Sequence, residues 1–113
     1  TNTLQPMLMT YFYPERCAES AAAIAEVKAR AERRCGPMLD QLDAELARHG
    51  QAWLLGERFS ALDPFALMLG RWTRGFARPA RSLPHLSPYL ERVLARPAVQ
   101  RTLEQEGLAR PWV

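Results

Sequence analysis

The stretch GERFSALDPF, residues 56–65, decides how the rest of the chain is read. Ser60 and Asp63 stand three apart after a glycine turn and an aromatic residue, so they are either half of a catalytic constellation or the start of a helix. A nucleophilic Ser60 needs a base within hydrogen-bond reach, and His49 and His85 are the only histidines that could serve. No Gly-x-Ser-x-Gly elbow surrounds it. As an N-cap, Ser60 accepts a hydrogen bond from the Asp63 N–H while the Asp63 carboxylate reaches back to the Ser60 N–H. The charge of Asp63 also suits the positive end of the helix dipole. Phe59 before the cap packs on Pro64 as a hydrophobic staple. Pro64 has no N–H and restricts Asp63, so the first turn should be tight or irregular. Residues 56–65 therefore read as a helix start, and no catalytic residue is assigned.

Outward from this point the pattern is helical. Residues 61–75 carry Leu62, Phe65, Leu69 and Trp72 at helical spacing, preceded by a short linker with Trp53, Leu54 and Leu55. From Ser20 to Gly50 the chain is rich in Ala, Glu and Arg, with Ile24, Val27, Ala31, Met38, Leu39, Leu42 and Leu46 on one face. Gly36-Pro37 predicts a kink there or two consecutive helices. His49-Gly50 closes the segment as a helix C-terminus. Residues 2–13 read as a helix stopped by Pro14. GFARPARSLPHLSP, residues 75–88, reads as a loop, and two short helices follow near 85–95 and 97–107, separated by Arg96-Pro97 and closed by Gly107. Strand signals are nearly absent. The expectation is an all-α bundle of five or six helices, one domain over residues 1–113.

Composition narrows the function classes. The 113 residues are 48% hydrophobic and 24% charged, which is globular, and no apolar run is long enough to cross a bilayer. Pro6 and Pro14 interrupt the N-terminal apolar stretch, and no basic region precedes it, so it does not read as a secretory signal. The chain begins at Thr1, which allows that it is a piece of something longer. Cys17 and Cys35 have no neighbouring His or Cys at metal-ligand spacing, so no metal is expected and reduced thiols are favoured. The net charge of +3 is spread over isolated arginines and short pairs, which suits solvated helix faces better than a nucleic-acid groove.

Several of these pieces together resemble the C-terminal helical domain of cytosolic glutathione transferases, bacterial members especially. They are the Trp53-Leu54-Leu55-Gly56 turn, the Arg58-Phe59-Ser60 run with Asp63, a Trp nine residues past that Asp, and LPHLSPYLERVLARPAVQRTLEQEGL from Leu83. In that family the Ser-to-Asp pair is a capping box and staple important for folding. Leu62 departs from the pattern, since Ala is common there. A second departure is larger: the family activates the glutathione thiol with a Tyr, Ser or Cys on an N-terminal thioredoxin-like domain of strands and helices, to which nothing in residues 1–113 corresponds. The resemblance also implies that the segment begins partway into the first long helix of the C-terminal domain.

The resemblance implies half of an enzyme, in which glutathione is the co-substrate and this part alone conjugates nothing. It implies that the first helix walls the pocket for an apolar, often aromatic electrophile. Gln5, Met9, Phe12 and Tyr13 share one helical stripe that suits this role or, alternatively, ordinary core packing. Gln5 sits where bacterial relatives often place a polar residue close to the thiol, and Trp72 matches a Trp near their active site. It further implies a cytoplasmic homodimer, with the thioredoxin-like domain as a further partner and with neither nucleic acid nor membrane. The rival implication is a non-catalytic protein-interaction module of the same fold.

Overall fold

Among the described residues five α-helices form where the apolar spacing calls for them: Leu4–Phe12 (α1), Ala21–His49 (α2), Leu62–Trp72 (α3), Leu86–Leu94 (α4) and Pro97–Gln105 (α5). Two 3-10 turns, Pro14–Arg16 and Ala80–Ser82, complete the regular structure, and the fold is all-α. The computed structural model describes residues 3–108 and 110–113. It divides into two compact units, Thr1–Gln41 and Leu42–Val113, and α2 contributes to both.

In the first unit α1 buries Leu4 and Leu8, one helical turn apart. The helix expected over 2–13 runs over Leu4–Phe12, and residue 2 lies outside the described residues. The Tyr13 N–H donates to the Met9 carbonyl at 2.9 Å and ends it, because Pro14 has no N–H to continue and opens the 3-10 turn instead. At the start of α2 the Ser20 hydroxyl accepts from the Ala23 N–H at 3.1 Å. Ala31, Cys35 and Leu39 then form its buried face at four-residue spacing. Burial, with Glu32 nearby as the second cause, pushes the Cys35 thiol up to about 11, so it is a packing group rather than a thiolate. Cys17 is exposed.

Of the two outcomes expected at Gly36-Pro37, two consecutive helices do not form: α2 is one helix of 29 residues with Pro37 inside it. Pro37 deprives only the Arg33 carbonyl of its donor. Both residues are exposed, so water can satisfy that carbonyl. The flanking Ala, Glu and Arg residues are strong helix formers and carry the helix past the defect.

In the second unit α2 buries Leu46 and ends at Gly50, whose φ of 63° admits little but glycine and whose N–H returns to the Leu46 carbonyl at 3.0 Å. α3 stops at Trp72 rather than 75. There Thr73, fully buried, turns the chain: its hydroxyl donates to the Gly70 carbonyl at 2.7 Å and accepts from the Ala80 N–H at 2.8 Å. α3 and α4 approach closely at Gly70, where a Cβ would lie 3.3 Å from both terminal carbons of Leu90. α4 supplies more of this core than any other helix, through Leu86, Tyr89, Leu90, Val93 and Leu94.

The loop expected over 75–88 holds the second 3-10 turn and the first turn of α4. A remote side chain supplies what the local sequence lacks: Asp43 of α2 accepts from the N–H groups of His85 and Leu86 at 2.8 and 2.7 Å, capping α4 from outside. Its other oxygen meets the His85 ring nitrogen Nδ1 at 3.2 Å. Burial pushes the Asp43 carboxyl upward, but these hydrogen bonds outweigh it and hold the group below its ordinary value.

Candidate functional site

The opening stretch is built around Asp63, which is fully buried at the start of α3. Its Oδ2 accepts from the Ser60 N–H at 2.9 Å, and its Oδ1 accepts from the Leu54 N–H at 3.1 Å and from the Tyr89 hydroxyl at 2.6 Å. The Ser60 side of the box differs from expectation. Its Oγ accepts from the Leu62 N–H at 3.3 Å, while the Asp63 N–H bonds the Ser60 carbonyl at 3.1 Å in a tight turn. Ala61, not Ser60, is the N-cap of α3 and is already helical, so the first tight turn starts at Ser60 and brings the Asp63 N–H onto the carbonyl three residues back rather than onto the hydroxyl. Burial first, then the Asp63 carboxylate, raise the Tyr89 hydroxyl far above the ordinary phenol range, so it remains a donor. Asp63 thus joins the 53–56 turn, α3 and α4, and spends its lone pairs on structure. The turn itself closes through two 3.0 Å bonds between Trp53 and Gly56.

Beside this anchor lies a cavity of 560 Å³, within the roughly 300–1,000 Å³ typical of small-molecule sites. One wall is a face of α3, formed by Pro64, Leu67, Met68, Arg71 and Trp72. The facing wall is α5, through Ala98, Val99, Thr102, Leu103 and Glu106. Phe59 and Arg96 close one side, with the Arg96 guanidinium carbon 3.7 Å above the Phe59 ring, and Phe59 meets Trp53 edge-on at 5.0 Å. Leu108 and Trp112 complete the lining. The last segment is pinned by Arg71, whose Nη1 donates to the Trp112 carbonyl at 2.7 Å, and by the Trp112 indole N–H on the Leu108 carbonyl at 3.2 Å. Every lining residue belongs to the second unit.

The structure therefore brings Phe59, Pro64 and Trp72 to one cavity, next to the Ser60–Asp63 turn. Gln5, Met9 and Phe12 lie on α1 and Tyr13 is its C-cap, all in the first unit. Gln5 and Met9 are half-buried, Phe12 is 43% exposed and Tyr13 41%. This stripe runs alongside the buried Leu4–Leu8 stripe rather than on it, so these rings are not core within the described residues. Tyr11 and Phe12 meet edge-on at 5.1 Å, and Arg16 stands over the Tyr13 ring at 4.6 Å. The α5 wall and Trp112 carry no local motif in the sequence. The signal available was the amphipathic spacing of Val99 and Leu103 on a helix that buries none of its own residues.

The sequence pattern described as "Glutathione S-transferase, C-terminal domain" matches residues 2–97. The chain belongs to this family. Glutathione S-transferase GstA of Escherichia coli O157:H7 is 32% identical over 56 residues, covering 50% of this chain and 28% of that relative's length. No solved structure gives a significant match. Membership of the glutathione transferase C-terminal family accounts for the all-α order of elements, and glutathione is the co-substrate after which the family is named. No helix among the described residues is long and apolar enough to cross a membrane, and no group of three or more His, Cys, Asp or Glu among them is placed to hold a metal.

Proposed function

We propose that this chain is the electrophile-binding half of a cytoplasmic, dimeric glutathione transferase, acting with a thioredoxin-like domain that binds and ionises glutathione. The observation that carries the reading is the α1 stripe. Two aromatic rings, Phe12 and Tyr13, stand about two-fifths exposed beside a thioether and an amide on a helix already anchored by buried Leu4 and Leu8. Aromatic and thioether groups adapt to varied apolar ligands, and Gln5 offers a donor and an acceptor near the start of the same stripe. In the proposed reaction the glutathione thiolate attacks the electrophilic carbon and expels its leaving group, or adds across its double bond with a proton taken up. This chain supplies orientation and exclusion of water. Family membership supports the reading. The thioredoxin-like domain would supply the thiol activation, and this chain the wall against which the electrophile is held.

The test begins with the intact mass of the natural gene product against the 12.8 kDa of this chain. In a product about twice that mass, Phe12→Ala and Tyr13→Ala should change the ratio of kcat/KM values for a bulky and a small aromatic electrophile by about fivefold or more, with the thermal midpoint unchanged. An unchanged ratio would remove the stripe from the pocket. A natural product of this chain's own mass would favour the protein-interaction module instead. For that reading the relevant feature is Leu55, 68% exposed at the tip of the 53–56 turn.

A further inference from the structure

The positive charge of the chain belongs to one segment of the second unit. Between Pro64 and Leu90 stand Arg71, Arg74, Arg78 and Arg81 and no Asp or Glu, a formal charge of +4. The rest of the chain holds the other 11 of the 15 basic residues and all 12 acidic ones, a formal charge of −1. These arginines look scattered in the sequence, but the fold gathers them on a pinned loop. The buried Thr73 hydroxyl donates to the Gly70 carbonyl at 2.7 Å and accepts from the Ala80 N–H at 2.8 Å, so the chain leaves the end of α3 and returns to it within seven positions. Phe76, Pro79 and Ala80 are buried within the loop. The Phe76 N–H on the Thr73 carbonyl at 2.9 Å and the Ser82 N–H on the Pro79 carbonyl at 3.0 Å fix its two halves. A compact loop packed on its own side chains holds its outward residues in set positions. Here those are Arg74, Arg78 and Arg81, all exposed, and Arg74 and Arg81 each follow one of the two residues that the Thr73–Ala80 bond joins. Arg74 gives one of its five donors to the Arg71 carbonyl, at 3.0 Å. Two acidic groups stand at the starts of the neighbouring helices, and both are committed elsewhere: Asp43 to His85 and Leu86, and Asp63 to Leu54, Ser60 and Tyr89.

From this pinned loop and its uncompensated arginines, we infer that residues 74–81 form a docking surface for an acidic protein segment, a run of Asp and Glu side chains on a partner. The guanidinium fork matches a carboxylate with two parallel hydrogen bonds, and all the cations of this run are Arg. Because Thr73 holds the backbone in place beforehand, docking orders side chains and little else. Other polyanions fit less well. Phe76 is turned inward, and the residues exposed beside the arginines are Gly75 and Ala77, so the loop has neither a ring to stack on a base nor an apolar wedge to enter lipid. Duplex affinity grows with the number of phosphates neutralised, and three exposed arginines neutralise few. The surface uses neither glutathione nor the α1 stripe, so it stands apart from the proposed transfer reaction.

The test measures fluorescence anisotropy of a labelled oligoglutamate peptide titrated with the 113-residue chain, beside an oligoglutamine of equal length. The acidic peptide should bind about tenfold or more tightly than the neutral one, and added salt should narrow the gap. Reversing the loop charges together, Arg74→Glu with Arg78→Glu and Arg81→Glu, should weaken the acidic peptide about tenfold or more with the circular dichroism spectrum preserved. A control changes net charge by the same amount on α2, through Arg30→Glu, Arg33→Glu and Arg34→Glu, which are also exposed. It should weaken the peptide by no more than about twofold, since screening confines a charge's reach to about 10 Å. Equal affinity of the unmodified chain for the two peptides would overturn the proposal. So would an equal loss in the loop variant and the α2 control, which would leave net charge alone as the cause. Duplex DNA or phosphatidylglycerol vesicles held more tightly than the oligoglutamate would overturn the choice of partner. The peptide comparison, the α2 control and the competing polyanions are read on chains with an intact loop, so they decide the matter even if the loop variant fails to fold.

Discussion

In the first unit the buried side chains are Leu4, Leu8, Pro14, Ala31, Cys35 and Leu39, all without a fixed hydrogen-bonding direction beyond the thiol. In the second, Asp63 and Thr73 are buried with every described bond directed at a particular backbone or hydroxyl group, and Asp43 reaches across from α2 to the start of α4. Apolar burial rewards area and tolerates small shifts of one helix along another. A carboxylate with three donors does not, because a shift of an ångström leaves donors unpaired. The contrast teaches that the cavity, which needs α3 held at a set distance from its surroundings, sits in the polar-anchored unit, while the exposed aromatic stripe sits in the unit held by apolar packing.

The strongest attempt to break this contrast is Asp63→Ala. It leaves the Leu54 N–H, the Ser60 N–H and the Tyr89 hydroxyl without their acceptor, a loss of roughly 3–5 kcal/mol. Against a total of about 5–15 kcal/mol for a domain, urea denaturation should show a midpoint near zero denaturant or a chain already unfolded. A cost under about 1 kcal/mol would mean that the anchor is dispensable.

Asp43→Ala removes an external helix cap and should cost about 0.5–2 kcal/mol. Here the pH dependence sharpens the point. The folded Asp43 titrates below the ordinary 3.8, so its contribution is fully present above that value and disappears as pH falls through the folded one. The stability difference between the parent chain and Asp43→Ala should therefore be constant from neutral pH down to about 5 and shrink below 3.8.

Ser60→Ala should cost less, about 0.5 kcal/mol, at the low end for a cap because its hydroxyl makes a long 3.3 Å bond while the Asp63 half of the box is untouched. Smallest of all, Phe12→Ala should move the first unit's stability by no more than about 0.5 kcal/mol, since the ring is 43% exposed. A differential scanning midpoint that falls as far for Phe12→Ala as for Asp43→Ala would erase the distinction between the units.

Much of the fold is legible in the sequence because helical periodicity and local punctuation are short-range signals. α4 and α5 fall within one or two residues of the spans expected for them, and the Gly50 terminus follows from a single residue type. What escapes is long-range or comparative. Pro37 reads locally as a kink or as a boundary between two helices, and only the summed propensity of 29 residues shows that one lost bond leaves a single helix. The Asp43 cap and the Tyr89 bond to Asp63 join residues 43 and 26 positions apart at their widest, beyond any local pattern. Around the cavity the sequence reading names Phe59, Pro64 and Trp72, but the α5 wall and Trp112 become neighbours only once the chain has folded back.

The separation of 42 positions between Asp43 and His85 also carries a meaning in time. The turn that joins Ser60 to Asp63 closes within a single helical step, so it can form while the rest of the chain is still searching. The start of α4 must wait until the whole intervening chain has come together, at an entropic cost that grows with the logarithm of the loop. α3 should thus begin early and α4 lock late. Weakening the Ser60–Asp63 turn would then appear chiefly as slower refolding, and weakening Asp43 chiefly as faster unfolding.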